Sequence, residues 1–443
     1  MTTSATFNDL RVNNAEQFKN SVANTTSGEI LYLTFGKVYA WANDASPDTA
    51  SASVATVYDV WNNMIGGKEL FGGDFAHAIP RYDWTANTVY NAYDHLSDSL
   101  YNQQFYVLTN DFNVYKCIGN NYNNIQSTVK PTSVNPSTTT TTSDGYIWKY
   151  MYTLSSSDQI RYVTPSYIPV KTLKVNDGSL QWQVQNSAIS GTIDSIFITN
   201  SGNNYTNVSN IIVTITGDGT SAAAIAKINN VSNTVNSILM TNRGSGYSYA
   251  NVTITDLGFG SSNASARAII SPPGGHGSNP LYELGGKNIL INGRFKYDEN
   301  GTLPVTNDYR QIALIKDPIL SNTSNVATVS VFSQVTSITT SGTGNYILDE
   351  FVYQGASFNT ATFKGRVVSW SSATGKVTLV NVQGTPTASQ TLIGQSSFTT
   401  RSVASVATPD MTKYSGRLLY VDNIKPITRA SDQIEDFKII MKF

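Results

Sequence analysis

Apolar positions recur along this chain with two different periods, and the change from one to the other divides it. Near the start, NNAEQFKNSVAN sets Phe18 and Val22 on one helical face, with Asn14 placed as N-cap and Gln17 three residues on. This predicts a short helix opening at Asn14. EILYLTFGK then places Leu31, Leu33 and Phe35 on one side and Ile30 and Tyr32 on the other, the pattern of a strand buried on both faces. Val54, Val57, Tyr58, Trp61 and Ile65 return to helical spacing, and Gly66-Gly67 supplies a left-handed stop after them.

From about residue 88 onward the period is two. FYVLTND, VYKCIG and YIWKYMYTL are short apolar alternations between turn-rich polar stretches, as antiparallel sheets require. The run from Ser137 to Ser143 is too polar to bury and predicts an exposed loop. SIFITNSGNNY (195–205) realigns on SILMTNRGSGY (237–247). After it, VTIT at Val213 matches VTIT at Val252, and Ala222, Ala224 and Ala226 match Ala264, Ala266 and Ala268. Two copies are too few for a solenoid and fit a compact pseudo-symmetric β domain. SPPGGHGSNP (271–280) is rigid punctuation. Beyond it, YILDEFVYQG, KGRVVSW and GKVTLVNVQG predict a small barrel or sandwich between about Val326 and Ala407. The pattern predicts a mainly β, multidomain chain.

Composition narrows the function. At 443 residues the chain has room for about three domains. Charged residues are only 13%, so neutral Asn, Ser, Thr and Tyr must wet the surface. A formal net charge of −1 with scattered Lys and Arg leaves no basic stripe for nucleic acid. The start has no apolar signal region and no apolar run spans a bilayer, so a soluble protein that is not exported is expected. The single cysteine, Cys117, cannot form an internal disulfide and sits in a strand pattern that predicts core packing.

Catalytic handles are missing. His77, His95 and His276 lie far apart and outside any zinc-binding spacing, so no metal or cofactor is expected. No nucleophile elbow, phosphate-binding loop or dinucleotide fingerprint occurs. Carboxylate pairs remain at Asp349 and Glu350, at Asp298 and Glu299, and between Asp432 and Asp436, but any chain this long offers such pairs. Gly217-Asp218-Gly219 reads as a plain turn rather than a calcium loop. The 25 tyrosines favour a binder over an enzyme without separating a protein binder from a sugar binder. On that alternative, a glycan- or host-surface-binding protein, the repeats would bind through exposed tyrosines such as Tyr205 and Tyr247.

Several blocks, in order, carry a family resemblance: YLTFGK (32–37), VYDVWNNMIGG (57–67), HAIPRYDW (77–84), VYKC (114–117), DGYIWKYMY (144–152), YRQIALIKDP (309–318) and YSGRLLYVDNIKPI (414–427). The chain resembles the dimeric baseplate wedge subunit of contractile-tailed bacteriophages of the T-even type. The resemblance covers roughly the first 170 residues, 281–320 and 410–443, and fails over the two β segments between them, which look like insertions into loops. It implies a non-enzymatic virion protein of the tail baseplate, assembled in the host cytoplasm, that pairs with itself and docks on other wedge proteins. It also implies a small α/β part formed from both chain ends. The expected divisions are 1–87 (α/β part), 88–185 (antiparallel β), 186–272 (repeat domain), 273–324 (core continuation), 325–408 (barrel or sandwich) and 409–443 (strands completing the core).

Within HAIPRYDW, Pro80 fixes a turn, Trp84 can anchor a core, and Arg81 with Asp83 can bridge or bind backbone groups where helix meets sheet. The stretch is read as a joint rather than an active site. The same structural role is expected of Trp148 and Tyr150 on one strand face, of Arg310, whose guanidinium could satisfy several buried carbonyls, and of Gly416 in the YSGRLLYV block.

Overall fold

Leu31–Gly36 is buried at all six positions, because it lies inside a sheet, antiparallel to Tyr309–Lys316 on one side and to Met64–Leu70 on the other. The computed structural model describes residues 6–23, 28–120, 125–258, 264–296, 299, 308–428 and 432–443. Strands make up 44% and helices 13%, so the chain is mainly β. It divides into two compact units, one built from residues 1–17, 76–291 and 438–443, the other from 18–75 and 292–437.

In the second unit, a five-stranded sheet runs in the order Val331–Ser333, Met64–Leu70, Leu31–Gly36, Tyr309–Lys316, Arg417–Ile427. Helix Val54–Asn63 is capped by the Ser53 side chain accepting from Thr56 N. Its Val60 and Trp61 pack with Tyr32, Ala313, Ile315 and Phe332. The helix stops at Asn63, before the predicted glycine pair, since Met64 is already extended. Gly66 and Gly67 lie inside the following strand. A Cβ on Gly67 would fall 2.6 Å from the Phe332 ring, so that glycine admits a close neighbour rather than ending a helix.

The unit also holds a closed six-stranded barrel between Thr336 and Ala407. Ile338, Val352, Phe363, Val367, Val377, Leu379, Leu392 and Val403 fill it, taken from alternate positions of its strands as a small barrel requires.

The first unit opens with helix Asn8–Ala23, whose residues from Phe18 onward count with the second unit. It begins six residues before the predicted cap, leaving Asn14 exposed in the helix interior, and its Val12 joins the core. A four-stranded sheet follows the order Tyr106–Leu108, Asn113–Asn120, Tyr146–Thr153, Thr140–Thr141. The last of these, inside the polar Ser/Thr run, is a two-residue edge strand. A second sheet has the order Ile434–Lys442, Asn288–Lys296, Phe75–Pro80, Tyr167–Val170, and the unit boundary falls within the first three.

The repeats form one six-stranded sheet in the order Thr234–Ser245, Thr220–Asn229, Ile211–Gly217, Ala250–Asp256, Ser265–Ile270, Ile193–Asn200. Its centre is the antiparallel pairing of the two VTIT segments, with Val213 opposite Ile254 and Ile215 opposite Val252. Outward from that centre, equivalent strands of the two copies occupy equivalent places, a pseudo-two-fold arrangement that the sequence repeat writes directly into the sheet.

Candidate functional site

HAIPRYDW passes from one sheet to another. Phe75–Pro80 pairs with Tyr167–Val170, and the chain then turns so that Asp83 bridges Leu108 in the neighbouring sheet. Trp84 N donates to Leu108 O and Leu108 N to Tyr82 O, at 2.8 and 2.7 Å. Arg81 Nε donates to both Asp83 oxygens, at 2.8 and 3.1 Å, and its Nη1 to Thr164 O at 3.1 Å. The Pro80 carbonyl, next to a ring that offers no N–H, accepts the Tyr106 hydroxyl at 2.7 Å. His77 is buried and its Nδ1 faces Gly286 O at 3.0 Å, so that nitrogen carries the proton. The junction is therefore sheet to sheet, not helix to sheet.

Trp148 and Tyr150 share a fully buried face with Tyr146, Tyr115, Cys117 and Tyr90. Trp148 stacks on Tyr146 with ring centroids 5.5 Å apart. Burial pushes the Cys117 thiol up, so it stays protonated and inert. Trp84 only leans on this cluster, half-buried, with its Nε1 donating to Ser127 Oγ at 3.2 Å. It is a brace at the edge rather than a core anchor. Trp84→Ala is accordingly expected to cost about 1–2 kcal/mol in urea unfolding, below the ~3–5 kcal/mol of a fully buried aromatic.

The opposite face of the same sheet holds a buried charge cluster that the sequence reading missed. Lys116 and Lys149 stand directly opposite each other across the ladder. Both are buried. Lys116 Nζ donates to Glu283 Oε2 at 2.8 Å and to His276 Nδ1 at 3.0 Å, and it lies 4.2 Å from the centroid of the Tyr93 ring. Lys149 Nζ donates to Pro136 O at 2.6 Å.

Glu283 also accepts from Gly277 N, at 2.8 and 3.0 Å, and from Asn279 N at 3.1 Å. The GGHG segment, buried from Gly275 to Gly277, is thus a plug rather than a spacer. Gly275 and Gly277 take φ near +92°, and a Cβ on Gly275 would sit 2.3 Å from Ile189 O. Burial lowers Lys116 against the pull of Glu283 and brings Lys149 down to about 8. Burial, then the two ammonium groups, hold His276 well below its ordinary value. With Lys116 donating to Nδ1, the imidazole proton sits on Nε2, which is buried without a hydrogen-bond partner.

The other predicted residues take separate places. Arg310 forks onto Asp44, at 3.0 and 2.9 Å, and among the described residues reaches one carbonyl, that of Val38, rather than several. Gly416 has φ +69°, and a Cβ there would meet Lys316 O at 2.4 Å. Tyr205 and Tyr247 are buried at 3% and 6% exposure, which overturns their role as an exposed surface. Their hydroxyls accept from Ala264 N at 3.2 Å and Ala222 N at 3.3 Å, so each repeat's tyrosine caps the other repeat's alanine strand.

Asp218 accepts from the Ser248 hydroxyl and from Ser248 N and Tyr249 N, which in that order lower it to about 2; it serves a turn. Glu350 is occupied by the backbone N–H groups of Ile347, Ser396 and Ser397 and by the Ser397 hydroxyl. Asp298 lies outside the described residues. Among the described residues, no group of three or more His, Cys, Asp and Glu could hold a metal. No described helix is long and apolar enough to cross a membrane.

No curated protein matches the chain. Residues 4–123, the stretch that contains the strand Leu31–Gly36, the HAIPRYDW joint and Lys116, are similar to the family Phage-Gp8, described as Bacteriophage T4, Gp8, and the match ends there.

Proposed function

We propose that the chain is a structural component of a contractile phage tail baseplate, a wedge subunit that works by pairing with a second copy and docking against neighbouring wedge proteins. The observation that carries this reading is the match of residues 4–123 to the phage family, over the segment that joins two of the sheets. The ordered blocks beyond residue 123 extend the likeness to DGYIWKYMY, YRQIALIKDP and YSGRLLYVDNIKPI. The chemistry of the interior agrees. The carboxylates at Asp218 and Glu350 are occupied by backbone N–H groups, the work of groups that hold a shape. A surface with few charges loses little solvation when it is covered by a partner.

The purified chain is expected to elute as a species of twice its 48.1 kDa in light scattering and to join other wedge proteins on mixing. A strict monomer that joins none of them would overturn the reading. The glycan alternative is not kept for Tyr205 and Tyr247, whose rings are enclosed.

A further inference from the structure

We infer that the first unit carries a binding cleft for a neutral, hydroxyl-rich ring the size of one sugar unit, floored in part by the repeat sheet and not lined by the two enclosed tyrosines. The cleft has a volume of about 230 Å³. That is below the ~300–1,000 Å³ of pockets that take cofactor-sized ligands, so it suits a single ring. Its floor comes from the strands Asn113–Asn120, Ile193–Asn200 and Ser265–Ile270, and its wall from the segment between Asn91 and Gln103.

Charge decides the ligand class. Arg267 and Asp94 are the ionic groups lining the cleft, and they are engaged with each other: Nη1 donates to Oδ1 at 3.0 Å and Nη2 to Oδ2. The guanidinium also lies over the Phe197 ring, 4.9 Å from its centroid. A bidentate pair of this kind leaves no net charge to draw a carboxylate, a phosphate or a cation. It fixes a wall.

The open hydrogen-bonding capacity belongs to neutral groups. The side chains of Asn91 and Ser97 line the cleft and bond to nothing else in the described chain. Asn120 uses its amide nitrogen on Tyr90 O, and Gln103 uses its own on Ser99 Oγ, so among the described residues the carbonyl oxygen of each stays free to accept. Amide and hydroxyl groups therefore share the lining with Ala92 and Phe197, which keep part of their apolar surface open, while Ile118, Ile269 and Tyr93 are buried behind it. A pyranose presents that same division, with hydroxyls at its rim and C–H groups on its face. Tyr93 is held from behind by Lys116 and by the His276 ring, 4.8 Å away and perpendicular to it. The buried cluster thus sets the position of the cleft's back wall.

The experiment is saturation-transfer NMR on the full chain with glucose, galactose, mannose and N-acetylglucosamine, each at about 10 mM, and with glucuronate as the charged counterpart. At least one neutral sugar is expected to receive saturation, with glucuronate binding about tenfold more weakly. Asn91 is exposed, so Asn91→Ala and the cleft-filling Asn91→Trp leave the fold intact, as an unchanged melting temperature will verify. Both are expected to weaken binding at least about tenfold. Silence from all four neutral sugars, or binding that persists in Asn91→Trp, overturns the inference. So does tighter binding of glucuronate. The wedge reading stands or falls separately, on oligomer mass.

Discussion

Glu283→Ala is expected to destabilise the first unit by about 3–5 kcal/mol, the cost of breaking a buried ion pair by removing one partner. Three groups lose their acceptor together. Lys116, with no exposed surface, would be left beside His276 and opposite Lys149. The N–H groups of Gly277 and Asn279 would lose the carboxylate that holds the GGHG plug. Each orphaned buried donor carries its own desolvation penalty, so the total sits at the upper end of single-residue effects.

The pair Lys116→Met with Glu283→Gln separates the contributions. Glutamine keeps an acceptor for the two backbone donors and methionine removes the stranded charge, so the double variant should recover most of the lost stability. Urea unfolding followed by the tryptophans of this unit, Trp84, Trp148 and Trp182, measures both. A Glu283→Ala cost below about 1 kcal/mol would mean that the cluster is solvated and does not clamp the plug.

What the sequence made legible follows the range of the deciding contact. Period-two alternation is local, and it located the strand Leu31–Gly36, the repeat strands and the barrel strands. The repeat also foretold a pseudo-symmetric sheet, because matching segments must occupy matching places. Contacts from far along the chain were not legible. Gly66-Gly67 reads locally as a helix stop, yet the Phe332 ring decides why Gly67 is a glycine. Tyr247 reads as an exposed binder until Gly219 and Gly244 are seen to leave room for its ring, with would-be Cβ atoms 2.4 and 2.9 Å from it.

Lys116 and Lys149 did leave a signal. Each stands inside an apolar alternation, in VYKCIG and YIWKYMY, where a surface strand would place its charges on one consistent face. What could not be read is the partner, since Glu283 arrives from 167 residues away. The site residues thus divide into those read from their own turn, such as Pro80, and those whose meaning depends on a distant strand, Gly416 among them, since a Cβ there would meet Lys316 O.

The same cluster gives the second large effect, an alkaline optimum of stability. His276 is depressed in the fold, so below its unfolded value of ~6.5 the unfolded chain binds the extra proton and stability falls as pH falls. The limiting slope is about 1.4 kcal/mol per pH unit for one such group. The lysines act with the same sign on the other side of neutrality. Lys149 titrates at about 8 in the fold and near 10.4 unfolded, so between those values the unfolded chain again holds more protons and stability rises with pH. Lys116, also depressed, adds to that rise.

Above pH ~10 the direction reverses, because burial raises Tyr146 and Tyr115 to about 12 while the unfolded tyrosines begin to ionise. The urea midpoint of the first unit is therefore expected to climb from pH 5 through 7 to 9 and to turn down beyond about 10. Lys149→Met should flatten the climb between about 8 and 10 while leaving the acid limb in place, since His276 remains buried. A midpoint that peaks near pH 6 and declines toward pH 9 would mean that the lysines are not held in the interior, and the clamp on the GGHG plug would fall with them.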